Sequence, residues 1–171
     1  MGGKTRSGEA IRDYQEQSEP RSLGCGRCGG QGRPVSRKTV LLMLKLELLE
    51  QATMGTYGFC PAHDCPVVYF NECSSQIFTK DNLRVVVGVK AKTDPIPLCY
   101  CFGFDESHVR AEISQTTKTT IPEKISRLIR EGLCACVARN PAGVCCLGEL
   151  NRAVKRLTEN KRLSTNEKAS S

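Results

Sequence analysis

The sequence has no tryptophan, only 2 histidines and 5% aromatic residues among its 171 positions. Two histidines leave little room for acid–base catalysis. No Ser/His/Asp set, phosphate-cradling glycine loop or carboxylate pair stands out. Hydrolase and transferase chemistry are therefore not expected. With 39% hydrophobic residues, a single large core is not favoured. Two small domains of this composition would each be short of core, and such domains need staples or metals. Long apolar runs are also missing. The most apolar stretch, Val40–Leu49, is broken by Lys45 and Glu47 and falls short of the ~18–20 residues of a membrane span. Met1–Gly8 is not followed by an apolar signal core, and Arg6 stands where N-myristoylation wants Ser or Thr. The expectation is a cytoplasmic chain without membrane insertion, in a compartment that keeps thiols reduced.

What is present is cysteine, 11 residues, an odd number that argues against a closed disulfide framework. Reduced, clustered cysteines read as metal ligands. They fall into two groups: Cys25, Cys28, Cys60, Cys65 and Cys73, then Cys99, Cys101, Cys134, Cys136, Cys145 and Cys146. Thr93-Asp94-Pro95-Ile96-Pro97 separates the groups, and two prolines so close favour extended structure and a boundary. The expected division is a disordered leader over 1–24, a zinc-binding subdomain over 25–94, a helical subdomain over 95–157 and a disordered tail over 158–171. No repeat with a period of 20–50 residues is visible.

The expected fold class is α+β: a small zinc-knuckle α/β subdomain followed by a small helical one. In the first, Thr39 can cap a helix that places Leu41, Leu44 and Leu48 on one core-facing side. Val67–Phe70 and Leu83–Lys90 are rich in β-branched residues and read as strands. In the second, Asp105 can cap a helix from Glu106 to about Gln115. Thr120-Ile121-Pro122-Glu123 matches a capping box, and Gly132 stops the helix that follows. A last helix carries Leu147, Leu150, Val154 and Leu157 at helical spacing.

Cys25-Gly26-Arg27-Cys28 is a C-x-x-C flanked by glycines, so two thiolates can face one ion. Cys60 and Cys65 form a second pair about thirty residues on. Four thiolates in two knuckles suit a closed, tetrahedral, structural zinc. His63 and Asp64, inside the second knuckle, are possible substitutes as ligands. A thioredoxin-like redox pair is disfavoured, because the flanks are polar and glycine-rich rather than strand and helix. Cys73 is expected to be a buried free thiol.

In the second group six cysteines compete for four positions of a two-iron cluster, which takes two thiolates per iron. Cys99 and Cys101 are assigned to one iron, sharing a side as i and i+2. Cys136 and Cys146 are assigned to the other, with Cys134 and Cys145 in reserve. Cys145 and Cys146 open the last helix, whose terminal amides stabilise an anionic cluster. A second zinc site is the alternative. Eight thiolates, one zinc and one oxidised 2Fe–2S core would reduce the formal +7 of the chain to about +3. The basic residues are scattered, so no nucleic-acid partner is expected.

The string Cys99-Tyr-Cys-Phe-Gly-Phe resembles the opening of the cluster site in bacterioferritin-associated-ferredoxin-like domains. Gly132-Leu-Cys-Ala-Cys and Arg139-Asn-Pro-Ala-Gly-Val-Cys-Cys-Leu-Gly add to it. Together with Cys28, Phe59-Cys60, Cys65 and Val67–Asn71, they resemble the N-terminal domain of archaeal copper chaperones of the CopZ type. The resemblance covers about residues 25–157. It implies one mononuclear zinc and one 2Fe–2S cluster, the latter proposed in that family to reduce Cu(II) to Cu(I) for an exporting ATPase. Catalysis would be at most one-electron metal reduction. The full chaperones continue into a heavy-metal-associated domain with a Met-x-Cys-x-x-Cys loop, which this sequence does not show. Copper is then expected as transient cargo, with a separate copper-carrying protein or the copper-exporting ATPase as partner. An electron-transfer or iron–sulfur carrier module for another partner is the alternative function. A zinc-only interaction or nucleic-acid-binding module is the third.

Overall fold

The computed structural model describes residues 23–169. The expected leader lies outside them except for Leu23 and Gly24. These two belong to the fold: Leu23 is buried, and Gly24 bridges to Gln31.

The first half is an antiparallel four-stranded sheet in sequence order, carrying one short helix. Its strands are β1 (Arg33–Val35), β2 (Tyr57–Phe59), β3 (Val67–Asn71) and β4 (Ile77–Thr79). All five residues of β3 are buried, so it does not alternate. A register shift between Val67 and Tyr69 breaks the period-two pattern there. As a result Val68 and Tyr69 join the main core with Val40, Leu44, Phe59 and Phe78. Val67 and Phe70 instead pack with Leu23 around Cys25, Cys60 and Cys65. The Phe70 ring crosses β2 at Gly58, where a Cβ would stand 2.3 Å from the ring; only glycine fits.

The helix α1 (Arg37–Met43) is capped by Ser36, whose side chain accepts from the Thr39 amide at 3.0 Å. The expected cap, Thr39, lies inside it. The helix stops at Leu44, which turns extended and bridges to Leu83. Leu46–Gln51 then forms a separate 3-10 turn, so the leucines do not share one continuous helix. The expected strand over Leu83–Lys90 does not form. Leu83 makes an isolated bridge, and Gly88–Lys90 is a 3-10 turn. The turn forms because the chain must swing in towards Pro97: a Cβ on Gly88 would lie 2.0 Å from the Pro97 carbonyl oxygen.

The second half begins with the short antiparallel pair β5 (Pro97–Cys99) and β6 (Phe104–Asp105). Helix α2 (Glu106–Thr116) is capped by Asp105, which accepts from the Ser107 and His108 amides at 2.8 and 3.2 Å. Helix α3 (Ile121–Arg130) starts at the expected place, but Thr120 does not cap it with its side chain. The Thr120 amide donates at 2.7 Å to the Glu112 carboxylate of α2 instead. Gly132, at φ 74°, ends the segment as expected. After the short α4 (Cys136–Arg139) comes α5 (Leu147–Ala169). The polar stretch from 158, expected as a tail, is helical as far as Ala169. Lys161 anchors it by donating to the Ile113 and Ser114 carbonyls at the end of α2. Leu98, Val109, Ile113, Ile121, Ile125 and Leu150 form the second core.

The fold class is α+β, as expected. The halves meet through α1 and α4 and through side-chain hydrogen bonds to the backbone, two of which lie beside α4. Thr39 Oγ1 donates to the Val137 carbonyl at 2.7 Å, and Tyr69 Oη donates to the Pro141 carbonyl at 2.7 Å. No described helix is long and apolar enough to cross a membrane.

Candidate metal centres

Cys25 and Cys28 sit on a tight loop before β1. The Cys25 amide donates to Gly30 O at 2.9 Å, the Gly29 amide donates to Cys25 O at 2.7 Å, and Gly29 takes φ 69°. Cys60 leaves β2 and Cys65 leads into β3. Their loop is held by Cys60 N to Val68 O at 2.9 Å and Cys65 N to Ala62 O at 3.3 Å. Two backbone turns therefore aim four sulfurs at one point. Cys25 and Cys65 Sγ lie 4.0 Å apart, Cys28 and Cys60 Sγ lie 3.7 Å apart, and all four are within 4.8 Å of one another. A zinc with Zn–S near 2.3 Å needs sulfur–sulfur edges of about 3.8 Å. The donor set fits, and three of its four residues are buried.

The thiols show the strain of that crowding. Burial pushes Cys60 up to about 12, against the downward pull of the Ala62 amide and the Lys90 ammonium. Burial also raises Cys65. Cys28, at the exposed corner, is lowered to about 7 by the Gly30 amide. A divalent cation resolves the conflict by taking all four as thiolates. His63 and Asp64 stand apart from the sulfurs. They pair with each other at 3.1 Å, and Asp64 with Lys92 at 2.8 Å, on the exposed loop tip. Cys73 is exposed in the turn after β3, not buried as expected. Its position follows from Asn71, whose side chain accepts the Cys73 amide at 2.8 Å and folds the chain outward.

The second group gathers at the junction of β5, α4 and α5. Cys99 ends β5, and Cys101 lies in the turn to β6, closed by Gly103 N to Cys99 O at 2.9 Å. Cys136 opens α4, and Cys146 caps the 23-residue α5, its carbonyl accepting from Leu150 N at 3.0 Å. Cys101 and Cys136 Sγ are 3.8 Å apart, and the Ala135 amide donates to Cys101 Sγ at 3.3 Å. The Cys146 thiol acts electrostatically on the Cys99 thiol. This interaction lowers Cys99 to about 6; the same interaction, burial and the neighbouring thiols raise Cys146. Burial pushes Cys136 up to about 12. The close sulfur contact in this group is that of Cys101 with Cys136. The chain leaves its strand at Cys99, so the i, i+2 rule no longer applies.

Among the described residues, only the first group brings three or more ligating side chains within 4.8 Å of one another. In the second group the sulfur–sulfur contact is Cys101 with Cys136 at 3.8 Å. One tetrahedral ion requires four mutually close sulfurs, whereas two irons bridged by sulfide require two pairs. Four cysteine sulfurs are the donor type that a binuclear iron–sulfur group takes. Cys134 and Cys145 flank it, half-buried and exposed respectively. A cleft of about 770 Å³ between the halves is lined by Cys145, Cys146, Tyr100 and Arg152. Two residues beside the sulfurs carry no sequence motif. Lys90 is only 5% exposed and donates to the carbonyls of Ala62 and Cys65 at 2.8 and 2.9 Å. Tyr100, between Cys99 and Cys101 in the sequence, accepts from the Gly88 amide at 2.8 Å and donates to Val86 O at 3.0 Å through its hydroxyl.

Fold and sulfur geometry together define a cysteine-based metal-binding domain with two thiol centres. Comparison with known proteins is specific. Residues 22–84 match the family model described as the zinc binding domain of CopZ. The copper chaperone CopZ of Archaeoglobus fulgidus is 35% identical over 131 residues, covering 76% of this chain and 61% of that protein. The X-ray structure of the Archaeoglobus fulgidus CopZ N-terminal domain superposes with TM-score 0.63 at 33% identity. That match covers 76% of this chain and 96% of that one. The chain belongs to the family of CopZ-type N-terminal domains, and it spans about three-fifths of the curated relative's length.

Proposed function

We propose that this chain is the metal-holding, electron-supplying part of a copper-handling system. Cys25, Cys28, Cys60 and Cys65 hold a structural zinc, and Cys99, Cys101, Cys136 and Cys146 hold a 2Fe–2S cluster. The approach of Cys101 and Cys136 to 3.8 Å, in a group that forms no cluster of three or more ligating atoms within 4.8 Å of one another, carries this reading, because it suits two irons better than one tetrahedral zinc. When bound, such a cluster stores one electron, the difference between Cu(II) and Cu(I).

The chain's own residues supply the setting. Cys146 at the start of α5 places its sulfur at the positive end of the helix, which favours an anionic group there. Cys145, exposed on the cleft beside it, offers a soft sulfur of the kind Cu(I) prefers. The zinc has four cysteine ligands and no open position, so its role is to hold the sheet. A copper-carrying protein or a copper-exporting ATPase would then take the Cu(I), consistent with the name of the Archaeoglobus fulgidus relative, copper chaperone.

The test is to reduce the anaerobic protein, remove the reductant and add Cu(II) at about one equivalent. The visible bands of the oxidised cluster should return in proportion to the copper added, with Cu(I) appearing in a specific chelator. Bands that stay bleached after copper addition would leave an electron-transfer module for another partner as the function.

A further inference from the structure

Lys90 is a buried ammonium that pairs with no carboxylate among the described residues. Its nitrogen donates to two carbonyls, Ala62 at 2.8 Å and Cys65 at 2.9 Å, on either side of the second knuckle's turn. Carbonyls satisfy its donors but not its charge, and an uncompensated buried charge is strongly unfavourable. The two carbonyl partners of Lys90 lie in the knuckle of Cys60 and Cys65, where a zinc bound by four thiolates carries a formal charge of about −2. Lys90 also ends the Gly88–Lys90 turn, whose Gly88 amide donates to Tyr100 Oη at 2.8 Å. Tyr100 Oη in turn donates to Val86 O at 3.0 Å. Tyr100 stands between Cys99 and Cys101. One short stretch, Val86–Lys90, is therefore held at one end by the zinc knuckle and grips the second centre's loop at the other.

We infer that Lys90 is a positioning residue shared by both metal centres. Its charge balances the four-thiolate zinc, and its anchorage there fixes the turn that braces Tyr100 between two ligands of the second centre. The stretch from Val86 to Lys90 thus couples zinc occupancy to the stability of the iron site. The iron-site half presupposes the ligand set proposed above.

The test uses the full chain loaded with both metals. Lys90→Met keeps the apolar stem and removes the charge; Lys90→Gln removes the charge and keeps donors, should the first fail to fold. Zinc transfer to a chromogenic chelator should accelerate about 10- to 100-fold in either variant, as for other outer-shell partners of a metal. The pH of half-release should rise, because protons then compete better for the thiolates. Bleaching of the visible bands in air should also accelerate. Tyr100→Phe should speed bleaching while zinc release stays at the wild-type rate. Wild-type zinc release and half-release pH in the lysine variants would overturn the counter-charge role. Wild-type bleaching in Lys90→Met or Tyr100→Phe would overturn the brace. A wild-type chain that takes up zinc but no iron overturns the brace together with the cluster reading, while zinc release still decides the role of Lys90.

Discussion

Cys60 illustrates how a single side chain ties folding to metal. Its thiol is buried and its proton is held tightly, up to about 12, so it becomes a thiolate only when a cation takes the proton's place. Replacing it by serine removes a soft ligand from the buried corner. Cys60→Ser should lose zinc and lower the melting temperature, whereas Cys73→Ser, on an exposed turn, should keep wild-type metal content and stability; metal analysis and calorimetry on both variants check this. Because protons compete with zinc for four thiolates, retention should fall as pH falls. The first four cysteines were legible in the sequence because knuckle spacing is a local property. Cys73 was not, because Asn71 decides its exposure through one hydrogen bond. Lys90 was invisible for a related reason: a lysine becomes a counter-charge only once a distant loop delivers two carbonyls to it.

Elements whose signals are local formed where the sequence placed them. Val67–Phe70 lies within β3, and Asp105 caps α2. Elements that depend on tertiary partners did not. Leu83–Lys90 has the residues of a strand, yet Gly88 must press against Pro97, and the backbone turns instead. The start of α3 shows the same override. Thr120 looks like a cap, but the Glu112 carboxylate satisfies its amide and also accepts from Thr119 Oγ1 at 2.7 Å. The Thr119 hydroxyl, then the Thr120 amide, hold Glu112 below the usual carboxylate range. The resulting stability is fully present above the ordinary glutamate pKa, near ~4.3, and is lost as pH falls through the lowered value. Glu112→Gln should cost about 1 kcal/mol at neutral pH and flatten that acid limb, as read by denaturant unfolding against pH.

At the level of the whole molecule, the expectation of a zinc half and a helical half came from cysteine grouping and the proline pair. Their mutual support did not, because it runs through contacts between residues distant in sequence. Tyr69 reaches Pro141 O, and Thr39 reaches Val137 O, so the sheet carries the segment that presents Cys136 and Cys146. Tyr69→Phe leaves a buried carbonyl without its donor. It should destabilise the chain by about 1–3 kcal/mol in denaturant titration, with faster loss of visible colour. The 3.8 Å approach of Cys101 and Cys136 within the second four sulfurs was likewise beyond sequence reach, since it depends on where α4 begins. The central claim is that those sulfurs hold two irons while the first four hold zinc. Metal and acid-labile sulfide analysis with an optical spectrum, on protein purified without oxygen, tests it most directly. The account predicts about two iron and two sulfide for every zinc, with a red-brown colour that dithionite bleaches. About two zinc per chain, no sulfide and no visible absorption would contradict it.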